Sequence, residues 1–278
     1  MSVACCGAIV ELPLSEFDVA VYKSSPAGIA AAVSAAQRGK RRIALIEPLG
    51  MIGGMGVAGG LALHDQQMSN LTMITGLAKV WAQLNAEYYY GTNTSGRIVN
   101  HPEIFVGERS FYKMIQDAKS IKLFMNCRLI NVNMDTHNSK AIKSLDLLCG
   151  NSRTLDGGLK QPVKRTVEAA VYIDASYDGD IMVGTRSIDY VSGREAAETY
   201  NETLAGVQEL REPLESFNGL KVLGTVSDTN NTLIPYVFFQ NVTALPKAGT
   251  ADDKLMSFQH RAVRSFHYFI FLFTLSSK

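Results

Sequence analysis

Two short apolar runs flank an alanine-rich segment near the start of the chain. Residues 17–22 form a β-favouring run that stops at the polar residues 23–25, which is typical of a strand buried in a parallel sheet. Residues 26–37 are rich in alanine and have a high helix propensity. Residues 42–47 form a second β-favouring run. The pattern therefore predicts a strand, a helix and a second, parallel strand, which is a βαβ unit.

Residues at the two ends of the alanine-rich segment support the predicted helix. Ser25 is a suitable N-cap, and Pro26 suits the first helical position because its missing N–H would have no partner there. Gly39 is suited to end the helix. Glu47 follows Gly28 by about twenty residues, the separation at which a dinucleotide-binding fold carries the acid that binds a ribose. The segment therefore indicates a dinucleotide site.

The chemistry of such a site gives these positions their roles. Backbone N–H groups at a helix N-terminus attract a pyrophosphate, and Gly28 would let the helix approach the strand closely. The Glu47 carboxylate would accept hydrogen bonds from ribose hydroxyls and disfavour a 2′-phosphate. The three glycine positions of the fingerprint are Lys23, Ser25 and Gly28 here, so only the third glycine is present. A plain βαβ unit with a surface Glu47 remains the alternative.

Further elements follow from the spacing of apolar residues along the chain. Apolar residues recur at helical spacing in two segments and alternate with polar residues in others. The predicted elements are helices over residues 71–90 and 111–119, strands over residues 121–134, 141–148 and 168–173, a loop over residues 93–107, and hairpins over residues 204–242.

A glycine-rich stretch directly follows the second apolar run. Residues 50–60 contain six glycines, so we expect neither a regular helix nor a strand there. Such a stretch suits a ligand that approaches the backbone closely, and a flexible surface loop is the alternative. His64 and Asp65 come just after it. They form a polar loop pair or, as the second possibility, take part in acid–base chemistry.

Four blocks of the sequence resemble one protein family. They are VYKSSPAGIAAAVSAAQRG, LIEPLGMIGGMGVAGGL, VYIDASYDGDIM and SGREAAETYNETLAGV. Together they resemble the FAD-dependent oxidoreductases with a glutathione-reductase-like flavin domain, and they span most of residues 17–207 in that family's order. The resemblance implies an α/β fold, a Rossmann-type FAD-binding domain with a parallel sheet, followed by the start of a second, β-rich substrate domain. It also implies that FAD is bound non-covalently.

The resemblance further implies which residues lie beside FAD. The backbone at Leu129 would face the adenine, and the glycine-rich stretch would run along the flavin or the pyrophosphate. The family has glycine where this chain has Lys23, whose Cβ would crowd the turn if the backbone needs a positive φ. No catalytic residue is assigned, because a flavin carries the redox chemistry itself. The implied cofactor-binding residues are Ser24, Ser25, Pro26, Ala27, Gly28, Glu47, Pro48, Gly53, Gly54, Met55, Leu129, Asp174, Ala175 and Ser176.

Composition narrows the possible partners. The chain of 278 residues is 46% hydrophobic and has a formal net charge of +1, so we expect no nucleic-acid partner. The family resemblance implies a small-molecule substrate. Its four cysteines lack metal-binding or CxxC spacing, and we expect reduced thiols, no metal site and a cytoplasmic location. The apolar run over residues 266–275 is well short of the ~20 residues of a membrane-spanning helix.

Two domains are expected, with a boundary near residue 190. Residues 1–190 would form the FAD-binding domain without the family's final segment, and residues 191–278 part of a substrate domain. The resemblance ends near residue 261, so we expect the tail from about residue 262 to differ from the family and the chain to be inactive. Two alternatives stay open: a non-catalytic βαβ scaffold or interaction module, and a nicotinamide-binding domain. Arg194 and Glu195 would either contact substrate or pair with each other.

Overall fold

The chain divides into two compact units, Met1–Asp189 and Tyr190–Lys278. A computed structural model describes residues 11–13, 16–59, 74–94, 96–138, 140–150, 162–186, 190, 192–207, 247–253, 263–264 and 269–270. The elements of the first unit are β1 (Glu11–Pro13), β2 (Phe17–Tyr22), α1 (Pro26–Gln37), β3 (Ile43–Ile46), α2 (Gly54–Val57), α3 (Gly76–Tyr90), α4 (Ile104–Ala118), β4 (Ile121–Phe124), β5 (Cys127–Met134), β6 (Ile142–Cys149), β7 (Val163–Asp174) and α5 (Asp180–Thr185). Those of the second unit are α6 (Ala197–Tyr200), β8 (Val263–Arg264) and β9 (Phe269–Ile270).

One mixed sheet organises the first unit. Its strand order is β4-β3-β2-β7-β6-β5, and β1 also pairs with β7. Strands β4, β3, β2 and β7 are parallel neighbours, whereas β6 runs antiparallel to both β7 and β5. The long β7 pairs with β1 along its first half and with β2 along its second half. The predicted α/β class with a parallel sheet is therefore confirmed.

Both faces of the sheet are covered by apolar side chains. Strand β2 shows the two-residue alternation of a buried strand, since Val19 and Val21 face one core while Ala20 and Tyr22 face the other. The first core also includes residues of α1, α3 and α4, among them Ile29, Trp81 and Phe111. The second core is closed by residues of β5, β6 and β7, among them Val132, Leu145, Leu147 and Val167.

Several element boundaries differ from the predictions. The strand predicted over residues 121–134 is two strands, because the chain turns at Asn126, whose φ is +55°. Strand β7 begins at Val163 and α4 at Ile104, both earlier than predicted. The first turn of α4 was not predicted, because the glycine at position 107 lowers the helix propensity there. In the structure, Gly107 packs against Trp81. The glycine-rich stretch also contains the short helix α2, which the sequence did not predict.

The cysteine prediction is wrong for one pair. Cys127 and Cys149 are direct partners in the antiparallel register of β5 and β6, and their side chains form a disulfide. The pair has no sequence motif because the hairpin brings together two residues that are 22 positions apart. Within the described residues no three potential metal ligands cluster.

The second unit contains an ion pair that the sequence did not predict. Arg194 and Asp252 form a two-stranded bridge through their backbones and an ion pair through their side chains. Arg194 therefore pairs with Asp252. Pairing with Glu195, one of the two possibilities given above, is not seen among the described residues. The predicted hairpins beyond residue 207, His64 with Asp65, and most of the tail lie outside the described part of the chain. Where the chain is described, no helix combines the length and apolar character needed to span a bilayer.

Candidate functional site

The N-terminus of α1 lies at the carboxyl end of the parallel strands. The Ser25 hydroxyl accepts a hydrogen bond from the Gly28 N–H at 3.2 Å and donates one to the Ala175 carbonyl at 2.8 Å. A Cβ at Gly28 would lie only 2.1 Å from the Lys23 carbonyl oxygen. Helix and strand therefore approach as closely as a residue without a side chain allows, which is the packing role of the third fingerprint glycine.

Lys23 occupies the tight turn between β2 and α1. Its φ is +76°, a conformation that favours glycine and is costly for a residue with a Cβ. Its ammonium lies 4.8 Å from the centre of the Tyr177 ring, a cation–π contact. The turn thus has the geometry of a fingerprint glycine but carries a positive charge instead.

Glu47 is a buried carboxylate directly after β3. Only 2% of the surface of this residue is exposed to solvent. Oε2 accepts hydrogen bonds from the Ser24 N–H at 3.0 Å and from the Ser24 hydroxyl at 2.6 Å, while Oε1 accepts one from the Leu49 N–H at 2.8 Å. A carboxylate has about four acceptor positions. These contacts fix the Glu47 side chain and leave an acceptor position on Oε1.

A cleft of about 420 Å³ opens at Pro48, the residue that follows Glu47 in the chain. We call it the Pro48 cleft. It contains Pro48 and Leu129 of the predicted site, and the backbone N–H of Leu129 donates to the Tyr22 hydroxyl at 3.1 Å. Sequence reasoning missed its other walls because α5 and β5 meet only in the folded chain. These walls are Tyr22, Arg128, Ile130, Asn131, Val132, Asp180, Val183, Gly184 and Arg186.

Asp174 and Ser176 hold the turn between β7 and α5. The Asp174 carboxylate accepts from the N–H and hydroxyl of Ser176 and from the N–H groups of Ile181 and Met182. The Ser176 hydroxyl in turn accepts from the Asp180 N–H at 2.7 Å. Protein donors thus fill the acceptor positions of Asp174, and the structure gives this carboxylate a capping role at α5. Ala175 lies against α1, because a Cβ at Gly28 would be 3.0 Å from the Ala175 Cβ. Its N–H donates to the Tyr22 carbonyl at the end of β2.

The glycine-rich stretch lies against the first turn of α1. The Gly53 N–H donates to the Ser24 carbonyl at 2.7 Å, and the φ of Gly53 is +90°. A Cβ at Gly54 would lie 3.3 Å from the Ser25 Cα. The structure therefore brings the predicted residues of this stretch to those of the α1 turn. Ala27 is exposed in the same first turn.

Burial changes the proton affinity of two groups that line the Pro48 cleft. Burial raises the pKa of the Tyr22 hydroxyl to about 12, against the hydrogen bond from Leu129. Burial also raises the pKa of Asp180, with Lys23 acting in the opposite direction and Asp174 and Asp178 adding to the rise. The Tyr22 hydroxyl is thus neutral at physiological pH. The Asp180 carboxylate, which also lines the cleft, binds a proton at a higher pH than an ordinary aspartate does.

Asp180 is expected to give stability a measurable pH dependence. The folded state holds the Asp180 proton more tightly than the unfolded chain does, so the folded state is favoured as the pH falls through the raised pKa toward 3.8. Relative to Asp180→Asn, wild-type protein should therefore gain free energy of unfolding as acid is added from pH 7 down to about 4. Urea denaturation over this range measures it. If the free energies of unfolding of the two proteins changed with pH in the same way, the raised pKa of Asp180 would be contradicted.

These features define a class of protein. A helix N-terminus at the end of parallel strands, a glycine at the closest helix–strand contact and a buried acid after the next strand are the parts of a Rossmann-type dinucleotide-binding domain. Comparison with known families gives the particular one. The family model of FAD-dependent oxidoreductases matches residues 18–267. The chain belongs to this family, whose cofactor is FAD, and the glutathione-reductase-like subtype stays a prediction.

Solved structures that match the chain include a halogenase, a dehydrogenase and a reductase. A myxobacterial chondrochloren halogenase is 14% identical over 59% of this chain and 38% of its own, with a TM-score of 0.36. L-Proline dehydrogenase from P. horikoshii is 17% identical over 61% and 24%, with a TM-score of 0.31. Adenylylsulfate reductase from Archaeoglobus fulgidus is 12% identical over 60% and 31%, with a TM-score of 0.36. The chain spans less than half of each of these three structures. No curated protein matches it in sequence.

Proposed function

We propose that the chain holds FAD non-covalently at the carboxyl end of the parallel strands and serves an oxidation or reduction of a small-molecule substrate. The observation that carries the proposal is that a close helix–strand contact at Gly28 and a buried acid after the next strand, Glu47, occur together in a chain of the FAD-dependent oxidoreductase family. The chemistry of these residues fits FAD. A helix N-terminus suits the pyrophosphate, and a carboxylate suits a ribose that carries no 2′-phosphate.

Each part of the cofactor has a candidate partner in this chain. The first turn of α1 would bind the pyrophosphate, together with the backbone of the glycine-rich stretch. Oε1 of Glu47 would accept a hydrogen bond from a ribose hydroxyl at its free acceptor position. The hydrogen bonds from Ser24 and Leu49 hold the carboxylate in place. The Pro48 cleft would take the adenine beside the Leu129 backbone. Asp174 and Ser176 support the site indirectly by fixing the turn above α5.

The residues of the chain would bind and orient FAD, and FAD itself would carry out the redox step. FAD, when bound, supplies hydride or single-electron transfer. Ser24 and Leu49 fix the Glu47 carboxylate before any ligand arrives, so ribose binding needs little reorganisation of the protein. The disulfide lies at the Glu47 end, since the Cys127 N–H donates to the Glu47 carbonyl at 2.9 Å. We therefore assign it a structural role beside the adenosine site.

Binding of the adenosine half separates FAD from FMN and from cofactors that carry a 2′-phosphate. The apoprotein should bind ADP in a titration. In the proposed site, Glu47 would contact the ribose, the α1 N-terminus the diphosphate and the Pro48 cleft the adenine. An ADP analogue with a 2′-phosphate should bind at least tenfold more weakly, a difference of about 1.4 kcal/mol, because a second anion would face Glu47. FMN lacks the adenosine and should not compete with FAD. Equal affinity for the two ADP forms would contradict the assignment of Glu47.

Lys23 is expected to affect binding and stability in separable ways. Lys23→Ala removes the ammonium but keeps the unfavourable φ of +76°, and we expect FAD affinity to fall by up to about 1 kcal/mol. Lys23→Gly removes the same charge and should be more stable than the alanine variant by about 1 kcal/mol. Calorimetry and urea denaturation measure the two effects. A glycine variant that bound FAD more tightly than wild type would show that Lys23 obstructs the site.

A further inference from the structure

The Tyr177 side chain connects three segments of the proposed FAD site. It belongs to the turn between β7 and α5, and its hydroxyl accepts a hydrogen bond from the Met55 N–H at 2.7 Å across 122 positions of the chain. Its ring lies beneath the Lys23 ammonium at 4.8 Å. Tyr177 thereby ties the glycine-rich stretch to the turn that precedes α1.

Tyr177 also packs closely against the glycine-rich stretch where this stretch meets the first turn of α1. A Cβ added to Gly54 would lie 2.2 Å from the Tyr177 hydroxyl oxygen and 3.3 Å from the Ser25 Cα. A Cβ at Gly56 would lie 2.9 Å from the Pro26 ring. The glycine-rich stretch and the tyrosine hydroxyl thus sit directly on the first turn of α1. The Met55 N–H, one of the backbone donors expected to face the pyrophosphate, is already used by Tyr177.

The contacts that hold Tyr177 are weak enough to break. Its residue is 44% exposed and belongs to neither apolar core of the first unit. A neutral hydrogen bond and a partly exposed cation–π contact each contribute little net free energy. The ring can therefore leave toward solvent without disturbing the sheet. Its departure would free the Met55 N–H and the Lys23 ammonium, one donor and one positive charge that both suit a pyrophosphate.

We propose that Tyr177 is a latch that closes the pyrophosphate path, so that FAD enters only after the tyrosine releases Met55 and Lys23. The inference rests on the proposed function, because it concerns the same site. The latch lowers the rate of FAD entry and, by mass action, the affinity, since FAD competes with an internal ligand. It also keeps the glycine-rich stretch ordered against α1 before the cofactor arrives.

The first test measures FAD binding to apoprotein by stopped-flow quenching of flavin fluorescence. Tyr177→Ala removes both contacts and should accelerate association about tenfold or more, which corresponds to removal of about 1.4 kcal/mol of barrier. Tyr177→Phe keeps the ring but loses the hydrogen bond to Met55, and its rate should lie between the two. Tyr200→Ala is the matched control, because Tyr200 is 70% exposed in the second unit. Its rate should equal that of wild type.

The second test needs no cofactor. Hydrogen exchange of the Met55 amide in apoprotein should be faster in Tyr177→Phe than in wild type, because its acceptor is gone. Unchanged exchange, or a Tyr177→Ala variant that binds FAD at the wild-type rate or more slowly, overturns the latch. If wild type binds FAD and Tyr177→Ala is no faster, the latch alone fails. If no variant binds FAD, the proposed function fails, and the latch fails with it.

Discussion

Gly28→Ala is expected to lower the free energy of unfolding by about 3 kcal/mol and to abolish FAD binding. The added Cβ would lie 2.1 Å from the Lys23 carbonyl oxygen, 3.2 Å from the carbonyl carbon and 3.0 Å from the Ala175 Cβ. The main clash is with backbone, which cannot rotate away as a flexible side chain can. The strand cannot yield either, because β2 is hydrogen-bonded to β3 on one side and to β7 on the other.

Gly50→Ala provides the matched control for this substitution. A Cβ there would meet only the Asn126 side-chain oxygen, at an ordinary contact distance of 3.6 Å. Its free energy of unfolding should remain within about 0.5 kcal/mol of wild type. Urea denaturation and FAD titration of both variants give the comparison. A Gly28→Ala protein as stable as Gly50→Ala would refute the close helix–strand contact.

Glu47→Ala is expected to weaken FAD binding by about 1.5–3 kcal/mol, the range for losing a hydrogen bond to a charged group. The apoprotein should also lose stability, because the buried Ser24 N–H and hydroxyl and the half-buried Leu49 N–H would all lose their acceptor. Titration calorimetry of FAD, at a temperature where the apo variant is folded, separates affinity from stability.

Two further variants sharpen the Glu47 experiment. Glu47→Gln keeps the shape of the side chain but presents an amide nitrogen where one of the oxygens accepts hydrogen bonds, so it should be intermediate in both measurements. Glu87→Ala removes an exposed carboxylate from α3 and should change neither. Unchanged FAD affinity in a folded Glu47→Ala protein would remove Glu47 from the ribose site.

The sequence predicted the βαβ unit because its determinants are local. Strand β2 and helix α1 have the predicted bounds, since a β-favouring run, the Ser25 cap with Pro26 and the glycine at position 39 act within a few residues of each other. The φ of Gly39 is +85°, as a glycine that ends a helix requires. The spacing between Gly28 and Glu47 within this unit also predicted that Glu47 would come at the end of the second strand.

Other parts of the site depend on contacts between distant segments. The Pro48 cleft forms only when α5 packs against β5, and the disulfide depends on the register of β5 and β6. Tyr177 reaches Met55 across 122 positions. A single sequence carries no periodic or spacing pattern for such contacts. The capping role of Asp174 was hidden for a different reason, because a carboxylate near a helix N-terminus resembles a ligand-binding acid until its hydrogen bonds are known.

FAD retention by the purified chain tests the central claim most directly. Apoprotein is mixed with excess FAD, passed through a desalting column, and its visible absorption is recorded, with Gly28→Ala treated in parallel. We predict that the wild-type protein elutes yellow with roughly one FAD per chain, whereas Gly28→Ala elutes colourless, because only the wild type keeps α1 against β2. A bound nicotinamide cofactor would leave the protein colourless. Folded wild-type protein that elutes without flavin would contradict the account.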